Sequence, residues 1–132
     1  MKNEFRPYGI LPALITPKTA KNKLNEKALR KLINYEIENG VHGLFAVGTA
    51  GEFYGINIDE YKELLMVTKD EVQGRVPIYA GANAISTREC ISLANAAEDV
   101  GVDALSILTP YFISLSQEEV KEHYKVIAMN TK

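Results

Sequence analysis

Directly after the apolar run Gly43–Val47, the chain places two glycines, a hydroxyl and a carboxylate: Gly48-Thr49-Ala50-Gly51-Glu52. Gly48 and Gly51 permit positive φ and close backbone approach. Successive N–H groups in such a turn can converge on an anion, most simply a carboxylate or a phosphate. Thr49 adds a hydroxyl able to donate or relay a proton. Glu52 could orient the turn by accepting its N–H groups. The same five residues also suit a plain strand-to-helix turn with a capping glutamate.

Thr109-Pro110-Tyr111-Phe112 is the second candidate. Two adjacent aromatics past a strand end can line a pocket or an interface, although one of them can equally cover the end of a core. His42 and His123 have no second His, Cys or carboxylate at metal-ligand spacing, so both are expected at a surface or interface, and no metal is expected. Cys90 reads as an inert thiol inside a helix. Lys21-Asn22-Lys23 reads as a solvated loop.

Repeating strand-plus-helix units must position these residues. Apolar runs at 10–15, 43–47, 76–80 and 104–108 predict four strands, with Pro12 making the first irregular or an edge. Each is followed by a helical pattern. Asn25 caps the first, which ends at Gly40. Asn57 and Glu60 form a capping-box analogue for the second, which closes at Gly74. Ser86 with Glu89 opens the third, which stops at Gly101, and Ser116 with Glu119 opens the fourth. Strand starts recur every 28 to 33 residues. Near-continuous apolar strands alternating with helices imply a parallel sheet covered by helices, read as one domain over residues 1–132. A small doubly wound sheet and half of a (β/α)8 barrel both accept four such units. The regular unit length and the absence of a Gly-x-Gly-x-x-Gly turn favour the barrel, whose full form needs about 250 residues. The fold class is therefore α/β, a (βα)4 half of a (β/α)8 TIM barrel with parallel strands. In both architectures ligand chemistry belongs at the carboxyl ends of the strands, where Thr16-Pro17, Gly48–Glu52, Gly81–Ala84 and Thr109–Phe112 sit.

Composition narrows the function classes. A hydrophobic content of 46% with a net charge of −2 over 132 residues fits a globular domain with a core. It gives no case for nucleic acid or an anionic membrane surface. One cysteine excludes an intrachain disulfide; a reducing cytosol, hence a cytoplasmic protein, is expected. The start, Met1–Gly9, is too polar for a signal peptide, and no run reaches the roughly 18 apolar residues of a membrane span.

Taken in order, the strings GILPALITP, GVHGLFAVGTAGE, AGANAISTRECISLANAAEDVGVDALSILTPYF and SQEEVKEHYKVIA resemble the dihydrodipicolinate synthase / N-acetylneuraminate lyase family from about Tyr8 onward. The resemblance implies a TIM barrel, usually tetrameric, in which a lysine forms a Schiff base with pyruvate or a related 2-oxo acid, with no cofactor, before a carbon–carbon bond is made or broken. Some relatives dehydrate or deaminate instead. It also assigns roles: Thr49 to a proton relay, and Thr49, Ala50 and Gly51 to the 2-oxo-acid carboxylate. Ala50 stands where the family usually has a second hydroxyl, and Phe112 where many members place a tyrosine that reaches a neighbouring subunit's active site. Tyr111 and Phe112 are thus expected at an interface. The family's Schiff-base lysine lies on the sixth strand and its catalytic tyrosine at the end of the fifth, so neither is expected among these 132 residues. The lysines present fall in loops, termini and outward helix faces; Lys2 is one of these.

Three readings follow. One is the N-terminal half of a pyruvate-type lyase, inactive alone. Another is a non-catalytic homo-oligomeric half-barrel that keeps a carboxylate-binding turn. The third is a compact doubly wound domain with an unrelated small-molecule role. A half-barrel leaves its first and fourth strands as open edges and exposes its concave face, so homo-oligomerisation is expected.

Overall fold

The computed structural model describes residues 6–132. Lys2 and most of the polar N-terminal stretch lie outside the described residues. Seven main elements follow in order: α1 (Glu26–Glu38), β1 (Leu44–Ala46), α2 (Ile58–Val72), β2 (Ile78–Gly81), α3 (Thr87–Val100), β3 (Ala104–Ser106) and α4 (Gln117–Met129). The strands form one sheet in the order β1-β2-β3, all parallel.

The expected first strand at 10–15 is corrected. It makes one parallel bridge, Ala13 to Phe45, through Leu14 N–H to Phe45 O (2.8 Å) and Phe45 N–H to Pro12 O (3.0 Å). Pro12 has no N–H to extend the pairing. The spatial order is nevertheless sequential from this segment through β3. A doubly wound sheet reverses its order at a switch point, and no reversal occurs here. With helices packed in sequence, α1 on α2, α2 on α3 and α3 on α4, the architecture is the half-barrel.

Each helix begins where sequence placed it because a side chain satisfies N–H groups that lack a partner within the helix. Asn25 accepts from Ala28 N–H, and Asn57 from Asp59 and Glu60. Glu60 returns a bond from the Asn57 N–H, completing a capping box. Ser86 accepts from Glu89, and Ser116 closes a second capping box with Glu119. Each cap stabilises its helix by about 1 kcal/mol. Helix α2 ends one residue before the expected stop, with Gln73 already left-handed at φ 49°.

Alternation along the strands separates two faces. Leu44, Ala46, Ile78 and Ala80 turn toward the helices and pack with Leu29, Ile33, Leu64, Leu65, Val72 and Ala97. Cys90 and Ala94 of α3 are fully buried as well. Small residues there let α3 approach the sheet closely, while Ala84, Cys90 and Ile127 form a satellite cluster under α4. The opposite, concave face carries the paired row Ala13, Phe45, Tyr79, Ala104. On the outer surface Arg30 pairs with Glu26 within α1 and joins α1 to α2 through Asp70 and Glu71, with Asn34 also bonded to Glu71. Among the described residues no helix is long and apolar enough to cross a membrane.

Candidate functional site

The turn after β1 is held by its own backbone. Gly51 N–H reaches Gly48 O, Glu52 N–H reaches Thr49 O, and Phe53 N–H reaches Gly48 O at 3.0, 3.0 and 3.4 Å. From the first segment, Thr16 Oγ1 donates to Gly51 O at 2.7 Å. The N–H groups of Gly48, Thr49 and Ala50 have no acceptor among the described residues. Thr49 and Ala50 are exposed, whereas Gly48 and Gly51 are buried. Three successive amide donors with no internal partner suit an anion.

Two expectations for this turn are corrected. The glycines do not take positive φ. Val47 (φ 58°) and Glu52 (φ 56°) hold the left-handed positions that flank them. The close approach expected of them is what they serve: a Cβ at Gly48 would lie 2.7 Å from Phe45 Cε1, and one at Gly51 would lie 3.0 Å from Leu14 O. Glu52 does not orient the turn. Its left-handed backbone leaves the side chain exposed and making no cap bond.

The short 3₁₀ turn Phe53–Gly55 links this site to the second candidate. Phe53 packs edge-on against Tyr111, ring centroids 5.9 Å apart, beside a cavity of about 420 Å³ that Val47, Tyr61, Asn83 and Ile85 also line. Tyr111 is 37% exposed, its ring held against Phe53. Phe112 is 94% exposed at φ 79°, so it is Tyr111 that covers the core end. Tyr61 is fully buried, its hydroxyl has no hydrogen-bond partner among the described residues, and burial raises its pKa.

Sequence reasoning singled out the Gly81–Ala84 stretch without naming Asn83. Its side chain is 6% exposed and spans the ends of two strands: Oδ1 accepts from Leu108 N–H (3.0 Å) and Nδ2 faces Val47 O (3.5 Å). The available signal was an amide among small residues at a strand end.

His123 is corrected from surface to interior. It is 4% exposed, and its Nδ1 pairs with Thr87 Oγ1 at 2.9 Å, docking α4 on the start of α3. Helical spacing alone did not reveal which face α4 buries. His42 is half-buried and accepts Ile10 N–H through Nδ1. Cys90 is fully buried, and burial raises its thiol pKa. Among the described residues no group of three His, Cys, Asp or Glu could hold a metal ion. No lysine lies in β1, β2 or β3.

Residues 6–132 match the model of the dihydrodipicolinate synthetase family. The 4-hydroxy-tetrahydrodipicolinate synthase of Cellvibrio japonicus is 40% identical over 120 residues, covering 91% of this chain and 41% of the relative. That of Methanopyrus kandleri is 42% identical over 125 residues, covering 94% and 42%. Among solved structures, the Methylacidiphilum fumariolicum 4-hydroxy-tetrahydrodipicolinate synthase superposes with a TM-score of 0.92 at 36% identity, covering 96% of this chain and 42% of that one. The chloride-inhibited dihydrodipicolinate synthase of Acinetobacter baumannii, a complex with pyruvate, gives 0.92 at 37% identity, covering 94% and 43%. The chain thus spans about two fifths of the length of the relatives it matches. Family model, sequence identity and shared half-barrel agree that the chain belongs to the dihydrodipicolinate synthetase family.

Proposed function

We propose that this chain is the N-terminal half of a 2-oxo-acid Schiff-base lyase and supplies its carboxylate-binding turn. The observation that carries this reading is the set of three unpartnered N–H groups at Gly48, Thr49 and Ala50, presented at the carboxyl end of β1. These donors hold the carboxylate of pyruvate or a similar 2-oxo acid. The exposed Thr49 hydroxyl relays a proton when the rest of the site is present. The nucleophile comes from elsewhere, because a Schiff-base lysine must be partly neutral, which takes a desolvated pocket or a cationic neighbour. In water, with a pKa near 10.4, only roughly one amine in 2,500 is neutral at pH 7.

The test is to treat the purified 132-residue chain with pyruvate and borohydride and weigh it by mass spectrometry. No stoichiometric adduct is expected. Site-specific labelling of one lysine would overturn the inactive-alone reading and would name the nucleophile. Calorimetry with pyruvate tests the turn separately: weak binding is expected, and none refutes the carboxylate role.

A second reading is favoured by Phe112, whose almost fully exposed ring sits on a left-handed backbone. That geometry suits a contact with another copy, and a non-catalytic homo-oligomer retaining the turn would use it. Persistent oligomerisation together with pyruvate binding, and no partner chain required for stability, distinguishes this reading.

A further inference from the structure

Val47 is β-branched, buried and left-handed at φ 58°, a conformation that persists only where its surroundings enforce it. Two residues earlier, Phe45 O accepts Leu14 N–H and therefore faces the first segment. Regular strand geometry would aim Val47 O the same way. Instead Val47 O lies over Gly81, where a Cβ would collide with it, and within 3.5 Å of Asn83 Nδ2. The orientation of that amide follows from chemistry: Leu108 N–H needs an acceptor, so Oδ1 must face Leu108 and Nδ2 must face Val47. Because a trans peptide points its N–H opposite to its C=O, turning Val47 O toward β2 turns Gly48 N–H away from it, to the side where Gly51 lies.

We propose that Asn83 is a positioning residue for the carboxylate turn: with the bare surface of Gly81 it holds the Val47 carbonyl and so sets the direction of Gly48 N–H, from which residues 49 and 50 of the turn continue. This rests on the proposed carboxylate role of that turn. Asn83 touches no substrate itself. Its two bonds divide the labour, Oδ1 fixing the end of β3 and Nδ2 fixing the end of β1.

Asn83→Asp separates the two bonds, since it keeps the acceptor for Leu108 and removes the donor to Val47. Asn83→Ala removes both. Amide spectra of the isotope-labelled 132-residue chain should show Gly48, Thr49 and Ala50 shifted in both variants, together with the Val47 Cα and Cβ resonances that report φ. Leu108 should move much more in Asn83→Ala. Pyruvate affinity should fall about two- to tenfold in Asn83→Ala, the loss of one neutral hydrogen bond at Val47, and further in Asn83→Asp, whose carboxylate adds like charge near the bound anion. Unchanged resonances at 47–50 in Asn83→Asp overturn the proposal and leave Asn83 a tie for β3 alone. If the unaltered chain binds no pyruvate, the carboxylate reading fails, while the resonances still decide what Asn83 holds. If both variants unfold, the hydrogen-bond scalar coupling between the Asn83 side-chain amide and the Val47 carbonyl carbon in the unaltered chain decides, and its absence overturns the proposal.

Discussion

Phe112→Gly should stabilise the protomer and at the same time weaken its association. The ring is 94% exposed, so removing it sacrifices almost no burial. The backbone sits at φ 79°, and left-handed geometry costs an L-residue roughly 1–2 kcal/mol. Glycine removes that strain but adds unfolded-state entropy of about 0.5–1 kcal/mol. The net gain is about 0.7 kcal/mol, or roughly 2–4 °C for a chain of this length. Phe112→Ala is the control, since it removes the ring and keeps the strain, and its melting point should stay near that of the unaltered protein. Melting is followed by circular dichroism at submicromolar protein, where association does not shift the midpoint. Sedimentation velocity at higher concentration should then show both variants more dissociated than the parent. A Phe112→Gly midpoint below that of Phe112→Ala would refute the strain argument, and a Phe112→Ala midpoint well below that of the unaltered protein would mean that the ring packs against this chain in solution. Unchanged association in both variants would remove Phe112 from the contact.

Ala50→Thr restores a hydroxyl beside the free donors and should tighten pyruvate binding by about 0.5–1.5 kcal/mol, or up to 3 because the acceptor is charged; calorimetry showing equal affinity counts against the carboxylate role. Arg30 and Asn34 hold the Glu71 carboxyl below the usual carboxylate range, so its contribution is complete above the unfolded-state pKa and is lost as pH falls through the lower folded-state value. Glu71→Gln should therefore flatten the acid limb of a melting-temperature profile, and an unchanged limb would show that this ion cluster adds nothing. Cys90 is fully buried with its thiol pKa raised, so at pH 8 iodoacetamide should label it only after denaturation; rapid labelling of the native chain would contradict the packing of α3.

Local chemistry carried the sequence reading where it succeeded. Asn25, Asn57, Ser86 and Ser116 cap the helices they were assigned because a cap depends on a few adjacent residues. The sheet order was legible as far as unit length permits. What sequence did not reveal depends on contacts between distant segments. Pro12 announced an irregular first strand, but only the pairing with Phe45 shows that it shrinks to one bridge. In the turn, sequence offered both φ > 0 and close approach as reasons for glycine at 48 and 51, and only contacts with Phe45 and Leu14 show that close approach is the one that applies. The left-handed burden fell on Val47, next to Gly81 and Asn83, which lie more than thirty positions away. His123 is buried because Thr87 supplies its partner, information that the spacing of α4 does not contain.

The row Ala13, Phe45, Tyr79, Ala104 runs small, large, large, small across the concave face. It is a relief, raised along the middle and recessed at both margins. A layer laid against it can come close only if its own profile is inverted, with bulk over the two alanines and little over the two rings, because packed interiors leave few voids larger than a water molecule. The relief therefore acts as a steric gauge. Exchanging Ala104 for a large residue would fill a margin that the opposing layer has to enter, while trimming Phe45 or Tyr79 would leave a hollow at its centre, and neither change would disturb the helical side of the sheet.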